Sequence, residues 1–323
     1  INLMLLTTKQ LFNKCYGSYA IAAVNVFFME EIHGLFAAAQ EAKAPFIVQT
    51  TPFARDYANA KMLLAMIKTA AEIYPDTVYA VHLDHGYESH IWDAVESGGY
   101  TSVMIDASHD DFEKNVERTK AVVQKAHEKG ISVEAELGVL AGVEDDLTVE
   151  ESHSFYTNPS DVERFVQLTG CDSLAIAVGT SHGAYKFSGG QGLQLQILKE
   201  IQERLPRFPL VLHGGSNVSE EVVTRINAAG GKIKTGAKGV QDDELKKAIA
   251  LGICKVNIAT DMRLVWTMVN REFFRDKPEE FAPTTPGKIF METYKEFIIK
   301  KFELTGAVGR NTEFENLKML GGM

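Results

Sequence analysis

The sequence predicts an α/β fold, and within that class a single-domain (β/α)8 TIM barrel with a long loop after the fifth strand and an insertion between the seventh and eighth. Three observations carry this. Eight short β-rich runs alternate with longer amphipathic stretches along the chain, which is the order of such a barrel. No low-complexity linker and no shift of composition divides residues 1–309. A chain of 323 residues, 45% of them hydrophobic, can fill one large core. An open doubly wound sheet is the alternative, but it rarely needs eight parallel strands in one domain.

The first run, 20–26, is apolar except for Asn25 and is followed by a helical pattern over 30–42. The second, 46–50, leads to a helical stretch at 58–73, and the third, 78–85, to one at 88–97. The fourth run is 101–106, with a helix at 112–129. The fifth, 132–137, is separated from its helix at 159–169 by residues 138–156, which are acidic and contain glycine. A connection this long in a compact domain is usually functional or disordered. The sixth run is 173–178, with a helix at 193–204; the seventh is 210–213, with a helix at 219–229. A glycine- and lysine-rich insertion, 230–242, and a short helix at 243–251 precede the eighth run, 255–260. Helices at 263–274 and 287–304 close the barrel, and residues 310–323, without periodicity, read as a mobile C-terminal tail.

Composition narrows the class of function. A net charge of −10 argues against a nucleic-acid partner, because a phosphate backbone calls for a basic face. It leaves room for small phosphorylated ligands, which need only a few local donors. No apolar segment approaches the roughly 18 residues needed to span a bilayer, so no membrane partner is expected. The three cysteines, Cys15, Cys171 and Cys254, are widely spaced and read as buried thiols of a reducing compartment, which places the chain in the cytoplasm.

The chemistry concentrates where apolar runs end. In a barrel the active face lies at the C-terminal strand ends, and there the sequence puts Asp84, His85, Asp106, Glu136, His182 and His213. Three imidazoles plus carboxylates from different strands suit Zn2+ or a similar borderline cation with an open position. Strand alternation sets Asp84 and His85 on opposite faces, so both reach one site only if the strand ends near Asp84 and turns. His82, on the side of Asp84, reads as structural. Glu134 and Glu136 share a face; two inward acids are costly without a cation or donors. Glu136, nearer the mouth, is the better ligand candidate, and Glu134 its support. Asp106 can bind a metal, orient a ligand or cap the next turn.

Gly179-Thr180-Ser181-His182-Gly183-Ala184-Tyr185-Lys186 and His213-Gly214-Gly215-Ser216-Asn217 each follow a run. They offer backbone N–H groups suited to an anion, with Lys186 as counter-charge. Tight turns that need only glycine explain either loop alone. No nucleophile elbow, HExxH helix or GxxxxGK[ST] loop competes. Lys255 opens the eighth run and is expected at the bottom of the barrel, away from any Schiff-base position.

His82-Leu83-Asp84-His85-Gly86, Val103-Met104-Ile105-Asp106-Ala107-Ser108, Val133-Glu134-Ala135-Glu136-Leu137-Gly138, Gly179-Thr180-Ser181-His182-Gly183 and Leu212-His213-Gly214-Gly215-Ser216 occur in this order. Together they resemble the motifs of the class II, metal-dependent ketose-bisphosphate aldolases, from about Tyr16 to about Gly306. The resemblance implies a Zn2+ site of His85, His182 and His213, with Glu136 and Asp106 lining a second or alternative metal position. It leaves open a monovalent cation. It implies that Asp84 handles the C4 hydroxyl proton and that Glu144, in the acidic loop, exchanges the proton on the dihydroxyacetone phosphate carbon. Asn25 matches a substrate-contacting asparagine. Gly183, Lys186, Gly214, Ser216, Asn257 and Thr260 match the pocket for one phosphate. Thr51 and Arg263 match positions facing the other, with Arg263 reaching a neighbouring site in a homodimer or homotetramer.

The implied reaction is reversible cleavage of fructose 1,6-bisphosphate to dihydroxyacetone phosphate and glyceraldehyde 3-phosphate through a metal-stabilised enediolate, in glycolysis and gluconeogenesis. A divalent Lewis acid aimed at developing charge suits that step. Ala259 resembles the tagatose-bisphosphate branch, whereas Asp261, Arg263 and the 230–242 insertion resemble the fructose branch. Fructose 1,6-bisphosphate is the favoured substrate, with tagatose 1,6-bisphosphate the alternative. A metal-dependent barrel hydrolase would use the same histidines but needs neither phosphate loops nor a loop carboxylate. A non-catalytic sugar-phosphate binder would be expected to have lost a ligand or Asp84.

Overall fold

The computed structural model describes residues 4–139, 141–144, 147–149, 156–182, 192–236 and 239–320. Eight parallel strands form the barrel: Ile21–Asn25, Phe46–Thr50, Val78–Gly86, Ser102–Ile105, Ser132–Leu137, Ser173–Ile176, Leu210–Leu212 and Ile253–Ile258. Each pairs with the next in chain order, and the eighth returns to the first through Lys255–Ile21 to Ile258–Val24, so the eight strands close on themselves, with a short added strand, Met4–Leu5, paired to Val78–Tyr79. Every residue of these strands is buried. Both faces are covered, one by the barrel interior and one by the surrounding helices, which is why the runs read as apolar with few alternations. The (β/α)8 barrel read from the sequence is the fold of the protein.

The helices follow the expected order with differences that have local causes. The stretch after the second strand is two helices, Pro52–Ala58 and Ala60–Ile73. Thr51 caps the first by accepting from Ala54 N at 3.2 Å, with Pro52 at the start of the helix. Asn59, at φ 71°, breaks the two apart while its side chain caps the second. Ahead of the barrel, helix Thr8–Cys15 carries a reciprocal capping box between Thr7 and Gln10. It sits against the N-terminal strand ends, with Thr8 Oγ1 3.1 Å from Ser102 Oγ and Lys9 N 3.3 Å from Ser132 Oγ. The connection after the fifth strand contains a hairpin, Ala141–Glu144 with Leu147–Val149. Helices Thr260–Asp276 and Thr284–Thr305 complete the ring, and Gly34 lets Tyr294 approach the Met29–Ala42 helix, where a Cβ would meet its ring. Residues Arg310–Phe314 form a 3-10 turn, with Phe314 buried and Glu313 accepting from Tyr19 Oη at 2.9 Å. Among the described residues no helix is long and apolar enough to cross a membrane.

Candidate active site

The third strand carries the site. Its pairing with the fourth runs His82–Ser102 and Leu83–Val103, then skips to Gly86–Ile105, so one extra residue is accommodated between Leu83 and Gly86. His85 takes φ 48° within this bulge. A side chain other than glycine in that region costs on the order of 1–3 kcal/mol and marks positions the surroundings over-determine. The bulge resolves the alternation problem: the strand does not end at Asp84 but kinks, so that Asp84 and His85 face the same space.

Ligand-type atoms of Asp84, His85 and His213 lie within 4.8 Å of one another, and so do those of His85, Asp106 and Glu136. His85 Nδ1 is 3.3 Å from Asp106 Oδ2, whose other oxygen accepts from Ser108 N at 3.1 Å and Ser108 Oγ at 2.7 Å. Burial would raise the Asp106 carboxyl; the contacts with His85 and Ser108 outweigh it and hold the group below the usual carboxylate range. His213 Nε2 is 2.7 Å from Glu134 Oε1, and its Nδ1 is 3.1 Å from His85 Nε2. Burial also keeps the His213 imidazole below its ordinary value, partly countered by Glu134.

These contacts test whether the groups suit a cation. An ionised carboxylate only accepts hydrogen bonds, so His85 Nδ1 and His213 Nε2 are the protonated nitrogens. In neutral rings the other two nitrogens then turn lone pairs toward each other across 3.1 Å. That arrangement calls for a cation or an extra proton between them. Imidazole nitrogens backed by carboxylates are the donor set of zinc-type sites.

Asp84 is fully buried; its Oδ2 accepts from Asn25 Nδ2 at 3.3 Å, and its Oδ1 has no hydrogen-bond partner among the described residues. Gln49 Nε2 donates to Asn25 Oδ1 at 2.7 Å, fixing the Asn25 amide with its NH2 toward Asp84. The sequence reading passed over Gln49, although an amide within Phe46-Ile47-Val48-Gln49-Thr50 is a polar group that a buried strand must satisfy.

Lys255 enters the barrel interior from its lower end. It is the third residue of the eighth strand, fully buried in the barrel, and its Nζ lies 2.8 Å from Glu134 Oε2. The strand begins two residues earlier than the sequence predicts, so Lys255 lies inside the barrel at the level of Ile21, the first residue of the first strand. His82 Nε2 lies 3.3 Å from the same oxygen, and its Nδ1 2.7 Å from Ser102 Oγ. Burial would raise Glu134, yet Lys255 first and then His213 and His82 hold it below the carboxylate range. Burial and the nearby lysine push His82 well down.

At the mouth, Gly214 has φ 61°, Thr180 Oγ1 donates to His213 O at 2.7 Å, and Ser216 Oγ accepts from Ala259 N at 3.4 Å. Asn257 is buried with neither amide atom hydrogen-bonded among the described residues. Thr260 begins the Thr260–Asp276 helix, which has no side-chain cap. The Arg263 guanidinium stacks 4.9 Å from the Phe27 ring. Thr51 Oγ1 accepts from Ala54 N in the helix cap, which leaves its O–H to donate. Backbone pairing of Ser181–His182 with Ala141–Gly142 brings the sixth-strand loop beside the hairpin that ends at Glu144. The side chains of His182 and Glu144, and Gly183 and Lys186 altogether, lie outside the described residues.

A closed (β/α)8 barrel whose C-terminal mouth gathers imidazoles, carboxylates and an unsatisfied amide is the architecture of a barrel enzyme acting on a small polar molecule. The chain belongs to the class II fructose-bisphosphate aldolase family, whose model it matches over residues 6–310. It is 43% identical over 310 residues to the fructose-bisphosphate aldolase of Thermus caldophilus, covering 95% of this chain and 100% of that one. The fructose-bisphosphate aldolase of Treponema pallidum is 40% identical over 327 residues, 95% of this chain and 97% of its own. Among solved structures, the YdjI aldolase of Escherichia coli K12 superposes with a TM-score of 0.75 at 29% identity, over 95% of this chain and 100% of that one.

Proposed function

We propose that this chain catalyses the reversible aldol cleavage of fructose 1,6-bisphosphate to dihydroxyacetone phosphate and glyceraldehyde 3-phosphate. The observation that carries the reading is the facing pair His85 Nε2 and His213 Nδ1, 3.1 Å apart, with Asp84 in the same cluster. His85, His213 and His182 would hold the family's divalent cation, with Asp106 and Glu136 lining an alternative position. Zn2+ is the ion such imidazole donors favour. When bound it supplies a Lewis acid toward the substrate carbonyl.

Asp84 takes the proton from the C4 hydroxyl as the C3–C4 bond breaks. Asn25 occupies Oδ2, which leaves Oδ1 to receive it. Glu144 returns a proton to the dihydroxyacetone phosphate carbon. Gly183, Lys186, Gly214, Ser216, Asn257 and Thr260 grip one phosphate; the buried, unsatisfied Asn257 amide supports this. Thr51 and Arg263 face the other phosphate, Arg263 by reaching the neighbouring site in a homodimer or homotetramer. Grips at both ends hold the scissile bond in register with Asp84. Three free, buried cysteines support a reducing, cytoplasmic setting.

A coupled assay of triose phosphate release from fructose and tagatose 1,6-bisphosphates, with and without EDTA, tests the reading. Cleavage of the fructose sugar at the higher rate, lost on chelation and restored by Zn2+, is expected. Activity that survives EDTA, or a borohydride-trapped substrate adduct, would overturn the metal-dependent reading.

A further inference from the structure

A buried ionic column rises through the barrel beneath the cluster. Lys255 Nζ touches Glu134 Oε2 at 2.8 Å, and Glu134 Oε1 meets His213 Nε2 at 2.7 Å. All three side chains are at most 1% exposed. They come from the eighth, fifth and seventh strands, so three separate elements fix one imidazole. We infer that Lys255 and Glu134 are positioning residues, which set the tautomer and ring orientation of His213 so that its Nδ1 lone pair faces His85. This deepens the reading of the same site and rests on the assignment of His213 as a cation ligand.

The direction of the His213 hydrogen bond follows from chemistry alone. Glu134 is an acceptor, so the hydrogen sits on Nε2 and the lone pair on Nδ1. A flipped ring or the other tautomer would aim N–H at His85 and remove a ligand atom. Lys255 determines which way Glu134 points: it engages Oε2, with His82 Nε2 3.3 Å from the same atom, and so leaves Oε1 for His213. A lysine taken into a barrel core is costly unless paired. Two apolar residues would pack that volume with less desolvation, but they could not orient an imidazole. Support of this kind, in which the far nitrogen of a ligating histidine is held by a carboxylate, typically changes metal affinity by about 10–100-fold.

The test compares two double variants that both remove the buried charges. Glu134→Gln with Lys255→Met keeps an acceptor oxygen for His213 Nε2–H; Glu134→Leu with Lys255→Met removes it. Zinc titration of the metal-free proteins is expected to give affinity within about threefold of the unmodified protein for the first, and about 10–100-fold weaker for the second. In 15N-histidine NMR of the metal-free state, His213 should be protonated at Nε2 in the unmodified protein and the glutamine variant, and lose that preference in the leucine variant. Lys255→Met alone is expected to weaken zinc binding more than the glutamine double variant does; if it does not fold, the two double variants still decide. Equal zinc affinity in the two, or His213 protonated at Nδ1 in the unmodified protein, would overturn the inference. Neither measurement needs aldolase activity, so a failure of the proposed reaction would be seen separately.

Discussion

The barrel interior has two levels that differ in how far their polar groups are paired. In the lower level, Thr8, Ser102, His82, Glu134 and Lys255 form a continuous column with neighbouring side chains 2.7–3.3 Å apart, in which only His82 Nε2, 3.3 Å from Glu134 Oε2, makes no hydrogen bond among the described residues. At the mouth, Asp84 Oδ1, Gln49 Oε1 and both amide atoms of Asn257 are buried without a hydrogen bond among the described residues. A buried polar atom left unpaired costs on the order of 1–3 kcal/mol. A completed network rigidifies a core, whereas an incomplete one at a strand end holds binding capacity for something the chain does not itself supply. The same residue types therefore do different work a few ångströms apart. Substitution at the mouth should remove function at little cost in stability, and substitution at the base of the column, at Thr8 or Ser102, should do the reverse; Glu134 and Lys255, directly behind His213, join the two levels.

The largest expected effect is at Asp84. Asp84→Asn keeps the size and the Asn25 contact but cannot take a proton. Its kcat for fructose 1,6-bisphosphate cleavage should fall by about 10²–10⁴-fold, the usual worth of a placed acid or base. The melting temperature should stay level or rise, because an unpaired buried oxygen is exchanged for a neutral group. A kcat loss accompanied by marked destabilisation would move Asp84 out of the mouth class and into the column.

Asn257→Ala comes next. A hydrogen bond to a charged group contributes about 1.5–3 kcal/mol, so if Asn257 meets a phosphate, KM should rise by about ten- to a hundredfold. Stability should not fall, since neither amide atom is engaged by the protein. Steady-state kinetics with thermal melts decide it. An unchanged KM would mean that the Asn257 amide is satisfied otherwise.

Much of this was legible in the sequence, for a physical reason. Barrel strands are buried on both faces, so their runs are nearly unbroken, and the polar residues that end them stand out, as Asp84, Glu136 and His213 do. What escaped notice depends on three-dimensional pairing. The bulge at His85 appears only as a register shift against Val103 and Ile105. The ion pair of Lys255 with Glu134 joins residues 121 positions apart, so the lysine between Cys254 and Val256 shows in the sequence that a strand carries an inward cation but not which acid meets it. The helix Pro52–Ala58 was hidden by its position straight after a strand, although Thr51-Pro52 is a recognisable helix start. The N-terminal helix had its capping box, Thr7 to Gln10, in plain view.

Ser102→Ala should have the smallest effect and the opposite character. Ser102 Oγ lies 2.7 Å from His82 Nδ1 and 3.1 Å from Thr8 Oγ1, so its loss leaves two buried polar atoms without this partner. The expected destabilisation is about 1–3 kcal/mol, read from urea unfolding at constant m-value. Thr8 belongs to the helix beneath the barrel and His82 leans on Glu134, so the change severs the lower link of the column but not the bond from Glu134 to His213. KM should therefore stay as it was, and zinc affinity should move by no more than about threefold, well under the 10–100-fold of a lost ligand support. A large drop in zinc affinity with stability intact would show that orientation of His213 depends on the column down to its base at Ser102 and Thr8.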